Sequence, residues 1–145
     1  MEIVTKNEEE TKKLALVILN EEVNKKNKEK AIILSLSGDL GSGKTTFVKG
    51  FAEILGVKKR VLSPTFVIER HYEINYKDFS SLFHIDAYRL SFNEDLSFLD
   101  LNKKIEDKRN IICLEWPENI SHIIPSDVIE ISFEFISENE RFFKY

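Results

Sequence analysis

The residues best suited to chemistry lie together in one glycine-rich stretch. Residues 38–45 read Gly-Asp-Leu-Gly-Ser-Gly-Lys-Thr and satisfy the pattern of a phosphate-binding loop, or P-loop. Glycines allow such a loop to turn its backbone N–H groups inward, at the positive end of the helix that follows. Lys44 is placed to bridge the β- and γ-phosphates, and Thr45 offers a neutral hydroxyl to magnesium. The stretch therefore predicts that the protein binds ATP as its Mg²⁺ complex.

Two acidic residues stand where buried strands are expected to end. Asp86 follows the mainly apolar run 82–85, and Glu115 follows the apolar run 111–114. Ligands bind at the carboxyl ends of parallel strands, so both side chains are expected near the P-loop. Asp86 suits magnesium ligation, directly or through water, and Glu115 suits orienting the attacking water. The division of these roles stays open, and an ordinary acid at the end of a strand is the alternative for each.

Four other residues are candidates with simpler alternatives. Thr65 follows Ser-Pro at the position where many nucleotide switches sense the γ-phosphate, although a turn before a strand explains the same residues. Trp116 suits stacking on adenine, but a tryptophan packed in the core or at its rim is the commoner case. His84 and Arg89 are interpreted as a histidine packed in the sheet and a surface arginine without a catalytic role.

Apolar spacing and turn signals predict the elements that position these residues. Helices are expected over about residues 8–26 and 44–55, the first opened by a capping box of Asn7 and Glu10. The polar residues 75–81 predict a long hairpin loop. Strands are expected over residues 31–36, 66–73, 82–89, 111–114 and 129–135, with the tail 141–145 pairing with the last.

These elements alternate along the chain and predict an α/β protein. We expect a three-layer P-loop NTPase fold, with helices on both faces of a central, mostly parallel sheet that has antiparallel additions. The chain has 145 residues and 42% apolar side chains, which suits one core, so a single P-loop ATPase domain is expected over residues 1–145.

Charge and cysteine content limit the partners and the compartment. A net charge of -4 argues against strong independent binding to RNA. Cys113 is the only cysteine, so an internal disulfide is excluded. Its position in an apolar run fits a buried thiol in a reducing compartment. Neither a secretory leader nor a run of about 18 apolar residues is evident, so we expect a cytoplasmic protein without a membrane partner.

Four motifs, in order, resemble the TsaE family of bacterial ATPases in tRNA threonylcarbamoyladenosine biosynthesis. They are Gly-Asp-Leu-Gly-Ser-Gly-Lys-Thr-Thr-Phe at 38–47, Ser-Pro-Thr-Phe at 63–66, His-Ile-Asp-Ala-Tyr-Arg-Leu at 84–90 and Glu-Trp-Pro-Glu at 115–118. The resemblance implies an ATPase whose turnover supports a threonylcarbamoyltransferase complex of TsaD and TsaB. That complex modifies the tRNA adenosine next to the anticodon, so contact with tRNA would be indirect.

The resemblance also assigns site residues. It implies catalytic roles for Lys44, Thr65, Asp86 and Glu115, and magnesium binding by Thr45, Asp86 and Glu115. It implies ATP contacts by Gly38, Asp39, Leu40, Gly41, Ser42, Gly43, Lys44, Thr45, Thr46, Thr11 and Trp116. Two positions depart from the family pattern without removing a required group: Ser42 replaces the usual alanine, and Ala87 replaces the usual leucine.

Three other functions are alternatives to a partner-coupled ATPase. A GTPase is disfavoured, because all five glycines precede residue 57 and no Asp-x-x-Gly switch follows the P-loop. A small-molecule kinase remains an alternative, although it normally needs a lid and an acceptor-binding insertion. A binding module gated by nucleotide is the third alternative. Our expectation combines it with the partner-coupled ATPase: a weak ATPase whose γ-phosphate state a partner complex recognises.

Overall fold

The computed structural model describes residues 1–26 and 29–145. Three α-helices are described, and they span Glu8–Ile18 (α1), Lys44–Ile54 (α2) and Leu101–Glu106 (α3). The strands are β1 (Glu2–Thr5), β2 (Ile32–Ser37), β3 (Glu69–Tyr76), β4 (Phe79–Asp86), β5 (Asn110–Glu115), β6 (Ile129–Phe135) and β7 (Arg141–Lys144). In the described part of the chain, no helix is long and apolar enough to cross a bilayer.

The strands form one seven-stranded sheet in the order β1-β7-β6-β2-β5-β4-β3. The four central strands, β6, β2, β5 and β4, run parallel, whereas β7, β1 and β3 are antiparallel to their neighbours. This arrangement confirms the predicted parallel centre with antiparallel additions. The register places Glu115 of β5 directly beside Asp86 of β4 and beside Leu36 of β2.

Helical layers cover both faces of the sheet, which confirms the three-layer prediction. On one face, α1 and α2 pack their apolar sides against β2 and β5, with Ile18, Phe47, Phe51, Leu34 and Cys113 all fully buried. On the other face, α3 and two short 3₁₀ turns pack against the same strands, through Leu99, Leu101, Ile105, Ile120, Ile112 and Leu114. Burying apolar side chains on both faces of the central strands explains their nearly continuous apolar sequences.

The start of α1 matches the predicted capping box in part. Asn7 accepts a hydrogen bond from the Glu10 N–H at 2.9 Å, as an N-cap residue should. The Glu10 carboxylate returns to the N–H of Lys6 at 2.7 Å, one residue before the cap. The helix continues as a π-helical turn over Leu19–Val23, so the predicted end at residue 26 was three residues too late.

The two strands of the β3–β4 hairpin differ from prediction at their outer ends. β3 begins at Glu69 and not at residue 66, because the N–H groups of Val67 and Ile68 both bond to the Pro64 carbonyl in a turn. β4 ends at Asp86 and not at residue 89, because the Leu90 N–H bonds to the Ala87 carbonyl.

The long hairpin loop predicted over residues 75–81 was wrong. Tyr76 pairs with Phe79, and the connection is a tight turn at Lys77 and Asp78, where Lys77 has a φ of 50°. Phe79 is 2% exposed, so its burial draws this polar stretch into the sheet.

Candidate functional site

The P-loop joins β2 to α2 and depends on glycine backbone conformations. Gly38 has a φ of 141°, and a Cβ atom on it would lie 2.3 Å from the carbonyl oxygen of Phe133 in β6. Gly43 is the N-cap of α2 in the left-handed conformation, with a φ of 105°. The first N–H groups of α2, which have no partner within the helix, therefore lie at the edge of the sheet where β2 ends.

Lys44, the first residue of α2, folds its side chain back over the loop. Its ammonium donates to the carbonyl oxygens of Gly38 at 2.5 Å and Asp39 at 2.8 Å, and to Oγ of Ser42 at 3.3 Å. Burial lowers the pKa of Lys44, and the nearby carboxylate of Glu115 opposes that effect. Phosphate oxygens are well suited to replace these three acceptors as partners of the Lys44 ammonium.

The two strand-end acids lie next to each other and each accepts a threonine hydroxyl. Thr45 donates to Oε1 of Glu115 at 3.0 Å, and Thr65 donates to Oδ2 of Asp86 at 2.8 Å. Oδ1 of Asp86 accepts the Tyr88 N–H at 2.9 Å. Asp86 is 3% exposed and Glu115 is 2% exposed. Two hydroxyls and two carboxylates thus meet beside the start of α2, and all four present oxygen atoms.

The environments of the two carboxyl groups push their pKa values in opposite directions. Burial raises the pKa of Asp86 above its ordinary value, although the Tyr88 N–H and the Thr65 hydroxyl lower it in part. Burial also acts to raise the pKa of Glu115, but the contact with His84 and the hydroxyl of Thr45 outweigh it. The pKa of Glu115 therefore lies below its usual value, which keeps this carboxylate ionised at neutral pH.

Sequence reasoning placed His84 in the sheet but missed its neighbour. The imidazole is completely buried, as predicted, and its Nε2 atom lies 3.5 Å from Oε2 of Glu115. Neither ring nitrogen has a hydrogen-bond partner among the described residues. The available signal was the period of the strand, because His84 lies two residues before Asp86 and so faces the same side of the sheet.

Two other predicted ATP contacts, Trp116 and Thr11, also line the site. Trp116 has a φ of 58°, packs against Tyr88 with ring centroids 5.0 Å apart, and lies 4.8 Å from the ammonium of Lys44. Thr11, in α1, is 3% exposed, and its hydroxyl already bonds to Oγ1 of Thr5 at 2.9 Å.

A cavity of about 490 Å³ brings most of the predicted residues together. Its predicted lining residues are Thr11, Leu40, Gly41, Gly43, Lys44, Thr45, Thr46, Thr65, Asp86, Glu115 and Trp116. Gly38, Asp39 and Ser42 lie outside this lining, and each accepts a hydrogen bond from the Lys44 ammonium. A volume in this range is typical of small-ligand sites.

Other lining residues were not predicted, and they come from both ends of the chain. They are Asn7, Glu8, Glu138, Asn139 and Arg141. Arg141 donates to the carbonyl oxygen of Gly41 at 3.1 Å, which ties β7 to the P-loop. No local sequence signal marks these residues, because only the order of strands in the sheet brings them to the loop.

Comparisons with known proteins identify the family of this chain. A family model described as threonylcarbamoyl adenosine biosynthesis protein TsaE matches residues 5–143. The chain belongs to the TsaE family. A TsaE protein of Rickettsia felis, named for tRNA threonylcarbamoyladenosine biosynthesis, is 34% identical over 140 residues, covering 96% of this chain and 75% of the relative. A TsaE protein of Borreliella burgdorferi with the same name is 39% identical over 106 residues, covering 72% of this chain and 74% of the relative.

A solved structure supports the fold. The crystal structure of YdiB from Bacillus subtilis superposes with a TM-score of 0.75 at 29% sequence identity, covering 99% of this chain and 82% of the other. Membership of the TsaE family rests on the sequence match over almost the whole chain, in agreement with the resemblance carried by the four motifs.

Proposed function

We propose that this TsaE-family protein binds ATP with Mg²⁺ in the P-loop cavity and hydrolyses the nucleotide slowly when alone. The observation that carries the proposal is the meeting of Thr45, Thr65, Asp86 and Glu115 beside Lys44 at the start of α2. A set of hydroxyl and carboxylate oxygens fits Mg²⁺, a hard cation that takes oxygen ligands and keeps some of its waters. Thr45 with Asp86 or Glu115 would hold the ion, which would neutralise charge on the phosphates.

The two carboxylates support different roles in hydrolysis. Glu115 is ionised at neutral pH and accepts from Thr45, so it is suited to accept a proton or a hydrogen bond from the attacking water. Asp86 is bonded to Thr65 and to the Tyr88 backbone, so it is suited to connect the nucleotide with two surface turns.

We further propose that turnover supports a TsaD–TsaB threonylcarbamoyltransferase complex in the cytoplasm, which acts on tRNA. The relatives' names place them in tRNA threonylcarbamoyladenosine biosynthesis. The surface turns support a read-out of the nucleotide state: Phe66, next to Thr65, is 83% exposed, and its ring lies 4.8 Å from the guanidinium of Arg89. A change at Asp86 would therefore reach exposed residues that a partner protein can contact.

The experiment is a measurement of ATP turnover by the pure protein, with and without TsaD and TsaB. We expect slow release of phosphate from the protein alone and a faster rate with both partners. Phosphate transfer to a metabolite in place of water would instead support the small-molecule kinase. A rate that the partners leave unchanged would contradict the coupling.

Variants separate nucleotide binding from hydrolysis. Lys44→Ala removes the cation that meets the phosphates and should weaken ATP binding by roughly 100-fold or more, at about tenfold for each 1.4 kcal/mol. Lys49→Ala, at an exposed position of the same helix, is the matched control. Glu115→Ala should bind ATP yet hydrolyse it roughly 100-fold more slowly, whereas Glu130→Ala on the exposed side of β6 should behave as wild type. Unchanged affinity in Lys44→Ala, or normal turnover in Glu115→Ala, would refute the respective assignment.

A further inference from the structure

We propose that His84 is a positioning residue for Glu115. The imidazole donates its Nε2–H to Oε2 of Glu115 and thereby aims Oε1 of the same carboxylate into the site. The inference rests on the proposed hydrolysis of ATP, because it assigns a residue that prepares the water-orienting carboxylate. His84 itself does not line the cavity, so it acts only through Glu115.

The first argument is the place of His84 in the sheet. β4 lies between β3 and β5, and His84 pairs with Arg70 on one side and Cys113 on the other. Its side chain is completely buried, yet among the described residues neither ring nitrogen has a hydrogen-bond partner. An unpaired buried polar group destabilises a fold, and an apolar side chain of similar size would avoid that cost. Packing alone therefore does not account for an imidazole at this position.

The second argument is the unequal surroundings of the two Glu115 oxygens. Oε1 accepts the Thr45 hydroxyl at 3.0 Å, whereas Oε2 lies 3.5 Å from Nε2 of His84. A hydroxyl can bind Mg²⁺ through a lone pair while its proton still points to Oε1, so Thr45 holds only one of the two carboxylate oxygens. His84 is the group beside the other oxygen, and a hydrogen bond there would fix the plane of the carboxylate.

The third argument is the small movement that the contact requires. A charge-assisted N–H···O bond is about 2.7–2.9 Å long, so closing the 3.5 Å separation needs a shift of well under 1 Å. Catalytic hydrogen bonds are often long in ligand-free proteins and shorten in the complex. The tautomer with its proton on Nε2 supplies the donor, and no change of charge on the ring is needed.

The test compares a variant that keeps a donor with one that removes it. His84→Gln places an amide N–H near the position of Nε2, and His84→Leu fills the space without a donor. We expect His84→Leu to lower kcat by roughly 10- to 100-fold while the Kd for ATP changes by less than about threefold. His84→Gln should recover most of the lost rate. In a Glu115→Gln background, His84→Leu should have little further effect on kcat, because the two residues act as one unit.

Other outcomes would overturn the proposal. Equal rates for His84→Leu and His84→Gln, or the same loss of kcat from His84→Leu with and without the Glu115 substitution, would show a role in packing alone. If wild-type protein shows no ATP turnover, the proposed function fails, and the contact is then judged by NMR. The His84 Nε2–H signal, recorded without nucleotide and with a non-hydrolysable ATP analogue plus Mg²⁺, should shift on Glu115→Gln. A signal that this substitution leaves unmoved in both states would refute the contact.

Discussion

Replacing Gly38 with alanine should destabilise the protein far more than the same change at Gly41. At Gly38 the new methyl group would lie 2.3 Å from the Phe133 carbonyl oxygen, whereas ordinary contacts begin at about 3.4 Å. Phe133 is 2% exposed and belongs to β6, which pairs with β2 and β7, so its backbone has little room to retreat. At Gly41 a methyl group would meet nothing within 4 Å.

The expected magnitudes follow from these two environments. Gly38→Ala combines a backbone strain of about 1–3 kcal/mol, at a φ of 141°, with an overpacking cost of similar size. The sum is roughly 2–6 kcal/mol, a large share of a typical stability of about 5–15 kcal/mol. Gly41→Ala, at a φ of 77°, carries only the left-handed strain of about 1–2 kcal/mol, and the stiffer unfolded chain offsets part of it.

Urea unfolding followed by circular dichroism measures both variants against wild type. With a slope of about 1–3 kcal/mol/M, Gly38→Ala should lower the midpoint by on the order of 2 M, and Gly41→Ala by well under 1 M. The slope itself should stay constant, since the fold does not change. Free energies of unfolding for the two variants that agree within about 0.5 kcal/mol would refute the argument that β6 leaves no space for a side chain at Gly38.

Two predictions concern the ionisable groups. Burial raises the pKa of Asp86. Its contribution to stability is therefore fully present below the pKa of the unfolded chain and is lost as pH rises through the pKa of the folded protein. Asp86→Asn should increase the thermal stability of the nucleotide-free protein at pH 7 and lose this advantage in acid. Lower stability of Asp86→Asn at pH 7 would contradict this sign. The hydrogen bonds and charge of Arg109 lower the pKa of Asp107 to about 2, so its contribution to stability is present above the ordinary value of 3.8 and is lost as pH falls through about 2. An NMR titration should show that midpoint in wild type and a return toward 3.8 in Arg109→Gln, and an ordinary midpoint in wild type would disprove the pairing.

Residues that act through local spacing were predictable. The P-loop pattern at residues 38–45 prescribes a strand before it and a helix after it, and β2 and α2 are found there. The apolar run 111–114 predicts a strand buried on both faces, and Glu115 lies at its end as expected. These predictions succeeded because each depends on residues that are near one another in the chain.

Elements that exist only through a partner strand were missed or misplaced. β1 has four residues, too few for periodicity, and forms because β7 offers it a pairing edge. Residues 75–81 look like a loop in composition, yet cross-strand pairing of Tyr76 with Phe79 makes them a tight hairpin. Such pairing energies come from residues distant in sequence and override local composition.

The amino-acid order alone therefore decides that this chain carries a P-loop, the acids of two buried strands and the motifs of the TsaE family. Tertiary structure decides which side chains meet. The sheet order brings Arg141 to Gly41. The parallel register of β4 with β5 sets Asp86 beside Glu115 and brings Nε2 of His84 to 3.5 Å from Oε2 of Glu115. The physical reason is that hydrogen bonding between strands fixes register to a single residue, whereas spacing along one strand defines only the face toward which a side chain points.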